Sequence, residues 1–342
     1  MRRSVWKTAI ALSAALLLAA LPSGCVPYYR YQYIRDAGYS QHSTELPLTP
    51  VQSEKAQRQS YTLYFRYEGE NYLAGEQRML SASEDKRIEK VLLQEMIQNG
   101  PSAGSVKLRP VISPKTSVLS VSENREYLYV TLSREFLEPL SDEIPANWAE
   151  DEKWREQVYA ERRLAVMAIV NTLTELGQYS RIQILIDTDN TGQGARPTWE
   201  MLGFVRGDPE QDAQLAEPLS RDQSMVLTPR NTLNLLLKRF GEKNWKAVDA
   251  FIARNDPRGY TKPSTEEMIA MLGMLDISLV SYEIHEEMVS NDGQSAVITV
   301  SYVFQMKDGS TFTNTRASVR MIRENSIWKM VYPSINQLIS NA

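Results

Sequence analysis

The sequence predicts an α+β fold made of two α/β sandwich-type domains, the second being a curved antiparallel sheet with helices packed on one face. In the first half of the chain, β-rich segments alternate with two long helical patterns. In the second half, helical segments come first, and long alternating segments joined by Asp-Gly turns follow. Helices followed by an antiparallel meander are typical of an α+β layout. A length of 342 residues also favours two domains.

The composition divides the chain into five segments. A signal peptide (1–24) and a tether (25–57) precede a first folded domain (58–207). A polar, proline-bearing linker (208–224) separates it from a second domain (225–342). The tether keeps no helical or strand period, and tyrosines crowd its start. These tyrosines either lie at a membrane interface, which suits an amphipathic side chain, or belong to a disordered linker that is rich in tyrosine.

The N-terminus carries the features of an export signal. Three basic residues stand within the first seven, and an apolar run follows from residue 9 to residue 21. The small pair Ser23-Gly24 then precedes Cys25. This order predicts a secretory signal and not a spanning helix, because the apolar run is shorter than the roughly 20 residues that cross a bilayer.

The residues around Cys25 resemble the lipobox of bacterial lipoproteins. In that family the cysteine thiol receives a diacylglycerol, and the cysteine becomes the new N-terminus after cleavage. The resemblance implies lipidation of Cys25, with palmitate among the acyl chains, and a position on the outer face of the cell membrane. Pro22 stands where leucine is usual. A chance cysteine behind an ordinary signal peptide is the alternative, but Cys25 is the single cysteine of the chain.

The charge balance argues against some classes of partner. Without the three basic residues of the signal segment, the chain has 35 basic and 42 acidic residues, a formal charge of −7. Nucleic acids and anionic surfaces require a basic face, so neither is expected as a partner. A single cysteine also excludes an intramolecular disulfide.

The first domain should begin with a strand at Tyr61–Tyr67, where apolar and polar residues alternate. A helix is expected over residues 84–99, capped by Ser83 and stopped by Gly100-Pro101. Further elements follow the same patterns: extended pieces at 107–112 and 117–121, a strand at 126–133, a helix at 158–176 and a strand at 181–187.

The second domain should open at Thr228-Pro229, an N-cap with proline in the first helical position. Helices are expected at 229–240 and 245–253, and a third begins at the capping box of Ser264 and Glu267. Strands at 277–289, 295–306 and 311–323 are joined by Asp-Gly turns, and a last strand covers 327–332.

An ordered set of motifs between residues 60 and 205 resembles the GerMN domain, as found in proteins of the GerM and LpqB type. The set comprises Leu63-Tyr-Phe65, Leu73-x-x-Glu76-x-Arg78, Leu92-Leu93, Asn99-Gly100-Pro101, Thr131-Leu-Ser133-x-x-Phe136, Ala165-x-x-Ala168-Ile-Val170-x-Thr172-Leu-Thr-Glu175 and Ile184-Leu-Ile-Asp187. The domain often has a glycine right after the last aspartate, whereas here the turn is longer and reaches Gly192. The resemblance implies no catalytic residues. It implies self-assembly or docking in envelope and sporulation assemblies.

The second domain resembles the nuclear-transport-factor-like (cystatin-like) cone fold. Trp245-Lys-Ala-Val resembles the second helix of its opening, and Trp328-Lys-Met-Val resembles its closing strand. Members of that superfamily bind small ligands, bind proteins or catalyse reactions. The resemblance therefore implies a fold and leaves the function open.

Candidate chemical sites are few. His285 could serve as a general base in the cone cavity, or it could face solvent from its strand; His42 lies in the tether. The run from Asp187 to Gly192 meets the first requirements of a calcium loop, but its twelfth position is Thr198, so an Asn/Gly turn is the better account. No cofactor, metal site or catalytic residue is expected.

Two tryptophans, Trp148 and Trp154, stand in an acidic segment before the second long helix. They could bind a partner, or they could pack on the domain while the acidic residues are solvated. A methionine stripe at helical spacing, between residues 268 and 274, is expected to be core.

These observations predict a lipid-anchored, non-enzymatic assembly or docking protein of the cell envelope. The resemblance implies a role in envelope maintenance, or in sporulation or germination if the organism forms spores. Its expected partners are the membrane, through the lipid, and envelope proteins or further copies of itself. The alternative is a ligand-binding lipoprotein whose cone domain holds a small molecule or a cell-wall fragment. An enzyme would require titratable groups that converge in a cleft, and the sequence places none there.

Overall fold

The structure is a computed structural model that describes residues 58–81 and 86–340. Cys25, His42, the signal peptide, the tether and the predicted cap Ser83 lie outside the described residues. No helix within the described ranges is both long enough and apolar enough to cross a membrane.

The first part of the fold places two small sheets around a long helix. Its strands are β1 (Gln59–Tyr67), β2 (Leu73–Leu80), β3 (Leu108–Arg109), β4 (Val118–Asn124), β5 (Tyr127–Ser133), β6 (Arg181–Asp187) and β7 (Leu219–Ser220). Its helices are α1 (Ile88–Gln94), which continues as a π-helix (Glu95–Asn99), α2 (Glu152–Thr174) and α3 (Pro209–Asp212), with 3-10 turns at Arg134–Leu137 and Trp148–Glu150. One sheet has the order β2-β1-β3, and the other has the order β4-β5-β6-β7, in which only β5 and β6 are parallel.

The helix α2 is the centre of this part. Every residue from Leu164 to Leu173 is buried, and the helix contacts both β1 and β6. Burial of each large aliphatic side chain contributes roughly 1.5–3 kcal/mol, so this helix stabilises both sheets at once. It begins six residues before the predicted start, because the Asp151 side chain caps it by accepting hydrogen bonds from the backbone of Lys153 (2.9 Å) and Trp154 (3.2 Å).

Strand β2 was not predicted from the sequence. Its first four residues, Leu73 to Glu76, are all buried, so the strand shows no apolar–polar alternation. The strands β1, β3, β4, β5 and β6 overlap the predicted segments, with different ends, whereas β7 lies in the segment that was predicted to be a linker.

The second part is a curled antiparallel sheet with helices, as predicted. It contains α4 (Pro229–Gly241), α5 (Trp245–Ala250), α6 (Thr265–Gly273), β8 (Ile277–Val289), β9 (Ser295–Met306), β10 (Thr311–Glu324), β11 (Ile327–Met330) and α7 (Tyr332–Ser340), with sheet order β11-β10-β9-β8. The capping box of Ser264 and Glu267 is present, and the Thr228 hydroxyl caps α4. Bulges in β8 and β10 interrupt the pairing and bend the sheet. The terminal helix α7 was not predicted.

The segment 208–224, predicted to be a linker, adds structure to the first part. Its strand β7 pairs with β6. The fully buried Asn171 exchanges two hydrogen bonds with the backbone of Asp222, at 2.9 and 3.0 Å, which satisfies its amide in the core. The described residues belong to one compact unit, and buried side chains of both parts form one continuous hydrophobic cluster. Whether each part folds alone stays a prediction.

Candidate functional site

The backbone joins the two parts along the edge of β2. Leu73 donates a hydrogen bond to the carbonyl of Met225, and Leu227 donates one to the carbonyl of Leu73, both at 2.7 Å. Val226 thereby forms a parallel bridge with Leu73. Residues 225–227 therefore pair with the first residue of β2, whose N–H and C=O groups would otherwise lack partners in the sheet.

Side chains reinforce this junction at three points. Arg239 on α4 binds the Glu70 carboxylate, with nitrogen–oxygen distances of 2.6, 2.7 and 3.0 Å. Arg323 on β10 donates to the carbonyl of Gly75 at 2.6 Å. The rings of Tyr67 and Phe251 lie 5.2 Å apart between centroids. The two parts are thus connected by ionic, polar and aromatic contacts.

A second network lies beside the junction. The Tyr64 hydroxyl donates to Glu175 at 2.6 Å, and Arg221 binds the same carboxylate at 2.5 Å. Burial, followed by the hydrogen bond to Glu175, raises the pKa of Tyr64 far above its ordinary value. The phenol therefore remains a neutral donor at physiological pH, and Arg221 connects the end of the segment 208–224 to α2.

Three motif residues of the first part meet around Arg78. Its guanidinium binds Glu76 at 2.7 Å, Glu95 at 2.5 Å and the carbonyl of Gly100 at 2.5 Å. The guanidinium carbon also lies 5.6 Å from the centroid of the Phe65 ring. Arg78 therefore connects strand β2 to the π-helix and to the turn that follows this helix.

The buried carboxylate of Glu76 holds the next residues of this turn. It accepts hydrogen bonds from the backbone N–H of Ser102 (3.1 Å) and from the Ser102 hydroxyl (3.1 Å). Burial alone would raise the pKa of Glu76, but hydrogen bonds from Ser105, Arg78 and the Ser102 backbone outweigh burial and hold the pKa below its ordinary value. The carboxylate is thus charged at neutral pH.

We define residues 99–106 as the loop surface. Gly100 adopts a positive φ of 59°, and the loop borders an open groove of about 460 Å³. Pro101 and Val106 contribute apolar area, and Val106 is 69% exposed. The sequence resemblance used Glu76, Arg78 and the Asn99-Gly100-Pro101 turn as separate motifs, and the structure brings them together.

The two candidate partner-binding tryptophans are half-buried, Trp148 in the 3-10 turn before α2 and Trp154 in the first turn of α2. The Trp148 ring packs edge-on against Tyr159, at 6.1 Å between centroids, and the guanidinium of Arg162 lies 5.6 Å from its centre. Burial lowers the pKa of Arg162 to about 10. The Trp154 ring is 5.5 Å from the ammonium group of Lys153. Their role in partner binding stays a prediction.

The remaining candidate residues have local partners. His285 Nε2 lies 2.6 Å from the hydroxyl of Ser301 on the neighbouring strand. Asp187 accepts hydrogen bonds from the backbone of Thr191 (3.0 Å) and Gly192 (2.8 Å), so its carboxylate closes the expected turn. Among residues 58–81 and 86–340, no three His, Cys, Asp or Glu side chains form a group that could hold a metal ion.

Sequence reasoning missed a polar cavity at the junction. Its walls include Glu70, Tyr72, Lys238 and Arg239. The helix α4 was predicted from the sequence, but the turn between β1 and β2 was not. The contact between them was not predictable either, because Glu70 and Arg239 are 169 residues apart.

Comparison with known proteins identifies one family and several similar structures. Residues 62–190 match the family model described as "Germane: Sporulation and spore germination". The first GerMN domain of the sporulation protein GerM from Bacillus subtilis is 19% identical, with a TM-score of 0.30, over 48% of this chain and 98% of that chain. The tandem GerMN domains of GerM are 17% identical, with a TM-score of 0.30, over 48% of this chain and 46% of that chain.

Other comparisons are more distant. An NTF2-like protein of unknown function from Cytophaga hutchinsonii is 16% identical, with a TM-score of 0.22, over 31% of this chain and 88% of that chain. No curated protein matches the chain.

The family match begins in β1 and ends in the turn after β6, and it contains the Glu76–Arg78 pair and the Gly100 turn. That family is described by sporulation and spore germination. Residues 62–190 of the chain are therefore similar to the Germane family.

Proposed function

We propose that the chain is a lipid-anchored, non-enzymatic assembly or docking protein on the outer face of the cell membrane, acting in sporulation or germination. The observation that carries this proposal is the match of residues 62–190 to the Germane family, which is described by those two processes. A docking role is supported by the hydrogen bonds that tie the loop surface to strand β2, from Arg78 to the Gly100 carbonyl and from the Ser102 backbone to Glu76. Preorganised surfaces bind partners at a lower entropic cost than mobile ones.

The lipid anchor rests on the sequence before residue 26. The cationic start, the apolar run and the Ser23-Gly24-Cys25 site are typical of an exported lipoprotein. Changing Cys25 to alanine should release the protein from membranes, because membrane affinity would come from the acyl chains at roughly 0.8 kcal/mol per buried methylene. Fractionation of cells that carry Cys25→Ala or the control Ser4→Ala measures this, and a Cys25→Ala protein that still sediments with membranes would contradict the anchor.

The docking role can be tested at the loop surface. A photo-crosslinking amino acid at exposed Ala103 should form adducts with specific envelope proteins or with a second copy of the chain. The same group at exposed Asp308, in the turn between β9 and β10, serves as the matched control. Equal adducts from both positions, or none from Ala103, would argue against docking through this surface.

A further inference from the structure

The junction of the two parts contains a polar cavity of about 320 Å³. One wall is the turn between β1 and β2, with Asn71 and Tyr72, and the other is the face of α4 that carries Asn234 and Lys238. Ligand sites form preferentially where two compact parts meet, and this volume is at the small end for ligand cavities. The space suits a single-ring ligand.

The cavity has one cation without a fixed counter-charge. Arg239 has two carboxylate partners, because it binds Glu70 through two nitrogens and Glu242 through the third, at 2.7 Å. Within residues 58–81 and 86–340, no carboxylate lies at ion-pair distance from the ammonium group of Lys238, which is exposed at the rim. A ligand with a negative charge would therefore find a partner at Lys238.

An amide donor is oriented beside this cation. The Tyr282 hydroxyl donates to the side-chain oxygen of Asn234 at 2.9 Å. Because that oxygen already accepts a hydrogen bond, the amide nitrogen of Asn234 is the group left to donate to a ligand. The amide of Asn71, exposed on the opposite wall, supplies a further donor and acceptor.

The remaining wall is aromatic and aliphatic. Tyr72 is half-buried and packs against the hydrophobic core, and the buried Leu235 also lines the cavity. A ring of this kind offers a flat apolar surface together with a polar edge. A sugar ring is complementary to such a wall, because its C–H face is apolar and its hydroxyl groups form hydrogen bonds.

We propose that this cavity binds a sugar that carries a carboxylate. The sugar ring lies on Tyr72, its hydroxyl or acetamido groups bond to Asn71 and Asn234, and its carboxylate pairs with Lys238. A purely apolar ligand would contact Tyr72 and Leu235 alone and would gain no hydrogen bond from the two amides and no ion pair with Lys238. The inference goes beyond the proposed docking role and does not depend on it.

The test uses the detergent-solubilised full chain and two probes that differ in one acidic substituent. N-acetylmuramic acid carries a carboxylate, and N-acetylglucosamine has the same amino-sugar ring without it. Titration calorimetry should show that the acid binds about two- to fivefold more tightly at low salt, because one exposed ion pair contributes this much. The preference should decrease as salt is added.

Two variants assign the contacts. Lys238→Met should remove the preference for the acid and leave the weak binding of the neutral sugar, whereas Tyr72→Ala should weaken both sugars. Lys246→Met, at an exposed lysine that does not line the cavity, is the control and should change neither. Absence of saturable binding of both sugars to the unaltered chain, or an unchanged preference in Lys238→Met, would overturn the proposal. Because Lys238 is exposed, this variant should retain its melting temperature.

Discussion

Arg239 on α4 and Glu70 in the β1–β2 turn form a two-pronged ion pair across the junction, with Nη2–Oε2 at 2.6 Å and Nε–Oε1 at 3.0 Å. Their side chains are only 22% and 14% exposed. A bidentate ion pair with this little solvent contact stabilises the fold more than an ordinary surface ion pair does. The pair therefore contributes to holding the two parts together.

The first prediction concerns this pair. Arg239→Ala should lower the free energy of unfolding by about 1–3 kcal/mol, because Glu70 keeps its charge in a partly buried site without a partner. Lys115→Ala is the control, since Lys115 and its partner Asp142 are 62% and 97% exposed and should contribute almost nothing. Chemical denaturation measures both variants, and equal effects would contradict the assigned role.

The second prediction uses the pH dependence of Glu76. Its folded pKa lies below the ordinary value of 4.5, so its stabilising effect is complete above that value and is lost as the pH falls through the folded pKa. Glu76→Gln should therefore be less stable than the unaltered protein at pH 7, by about 2 kcal/mol. The difference in stability between Glu76→Gln and the unaltered protein should become smaller below about pH 4.5, as the carboxyl takes up a proton. Denaturant melts between pH 3 and pH 7 would contradict this if the difference stayed constant.

The third prediction compares two glycines with nearly equal backbone angles. Gly203 and Gly192 have φ values of 80° and 79°. A Cβ on Gly203 would lie 2.2 Å from the carbonyl oxygen of Tyr159 on α2, whereas nothing lies within 4 Å of one on Gly192. Gly192→Ala should cost about 1–2 kcal/mol for the left-handed conformation alone.

Gly203→Ala should lower the free energy of unfolding by at least about 2 kcal/mol more than Gly192→Ala does. The added Cβ would clash with the Tyr159 carbonyl oxygen, so the backbone must move as well. Thermal melts of the two variants measure the difference. Similar melting temperatures would show that the loop before Gly203 can move away from α2 without penalty.

The fourth prediction concerns the predicted division at residues 208–224. A fragment of residues 58–227 keeps β7, the Asn171–Asp222 hydrogen bonds and the backbone hydrogen bonds with Leu73. It should melt cooperatively, whereas a fragment of residues 58–207 should melt at a lower temperature and over a broader range. Identical melts of both fragments would show that the segment 208–227 contributes nothing to the first part.

The local features of the fold were predictable, and the contacts between distant segments were not. The capping box at Ser264, the Asp-Gly turns and the strands of the second sheet follow from short patterns, and the structure contains them. Strand β2 escaped detection because its buried half has no alternation. The pairing of Leu73 with Val226 joins residues far apart in the chain, and no periodicity encodes such a contact.

The same holds for the candidate sites: their local patterns were predictable, and their contacts with distant segments were not. Glu76 and Arg78 were recognised in the sequence as part of a family motif. Their contact with the Gly100 turn depends on the tertiary structure, so it was not predictable from the motif. Asn234 and Lys238 are four residues apart, so their common helix face was predictable. That this face meets Tyr72 across a cavity was not.

The bridge between residues 225–227 and Leu73 has a consequence for shortened forms of the chain. A chain cleaved or halted before residue 225 would lose both of these backbone hydrogen bonds, and the apolar Leu73 would then stand at an unpaired strand end. Unpaired strand edges pair readily with strands of other molecules. We therefore expect such shortened chains to aggregate more readily than the intact chain.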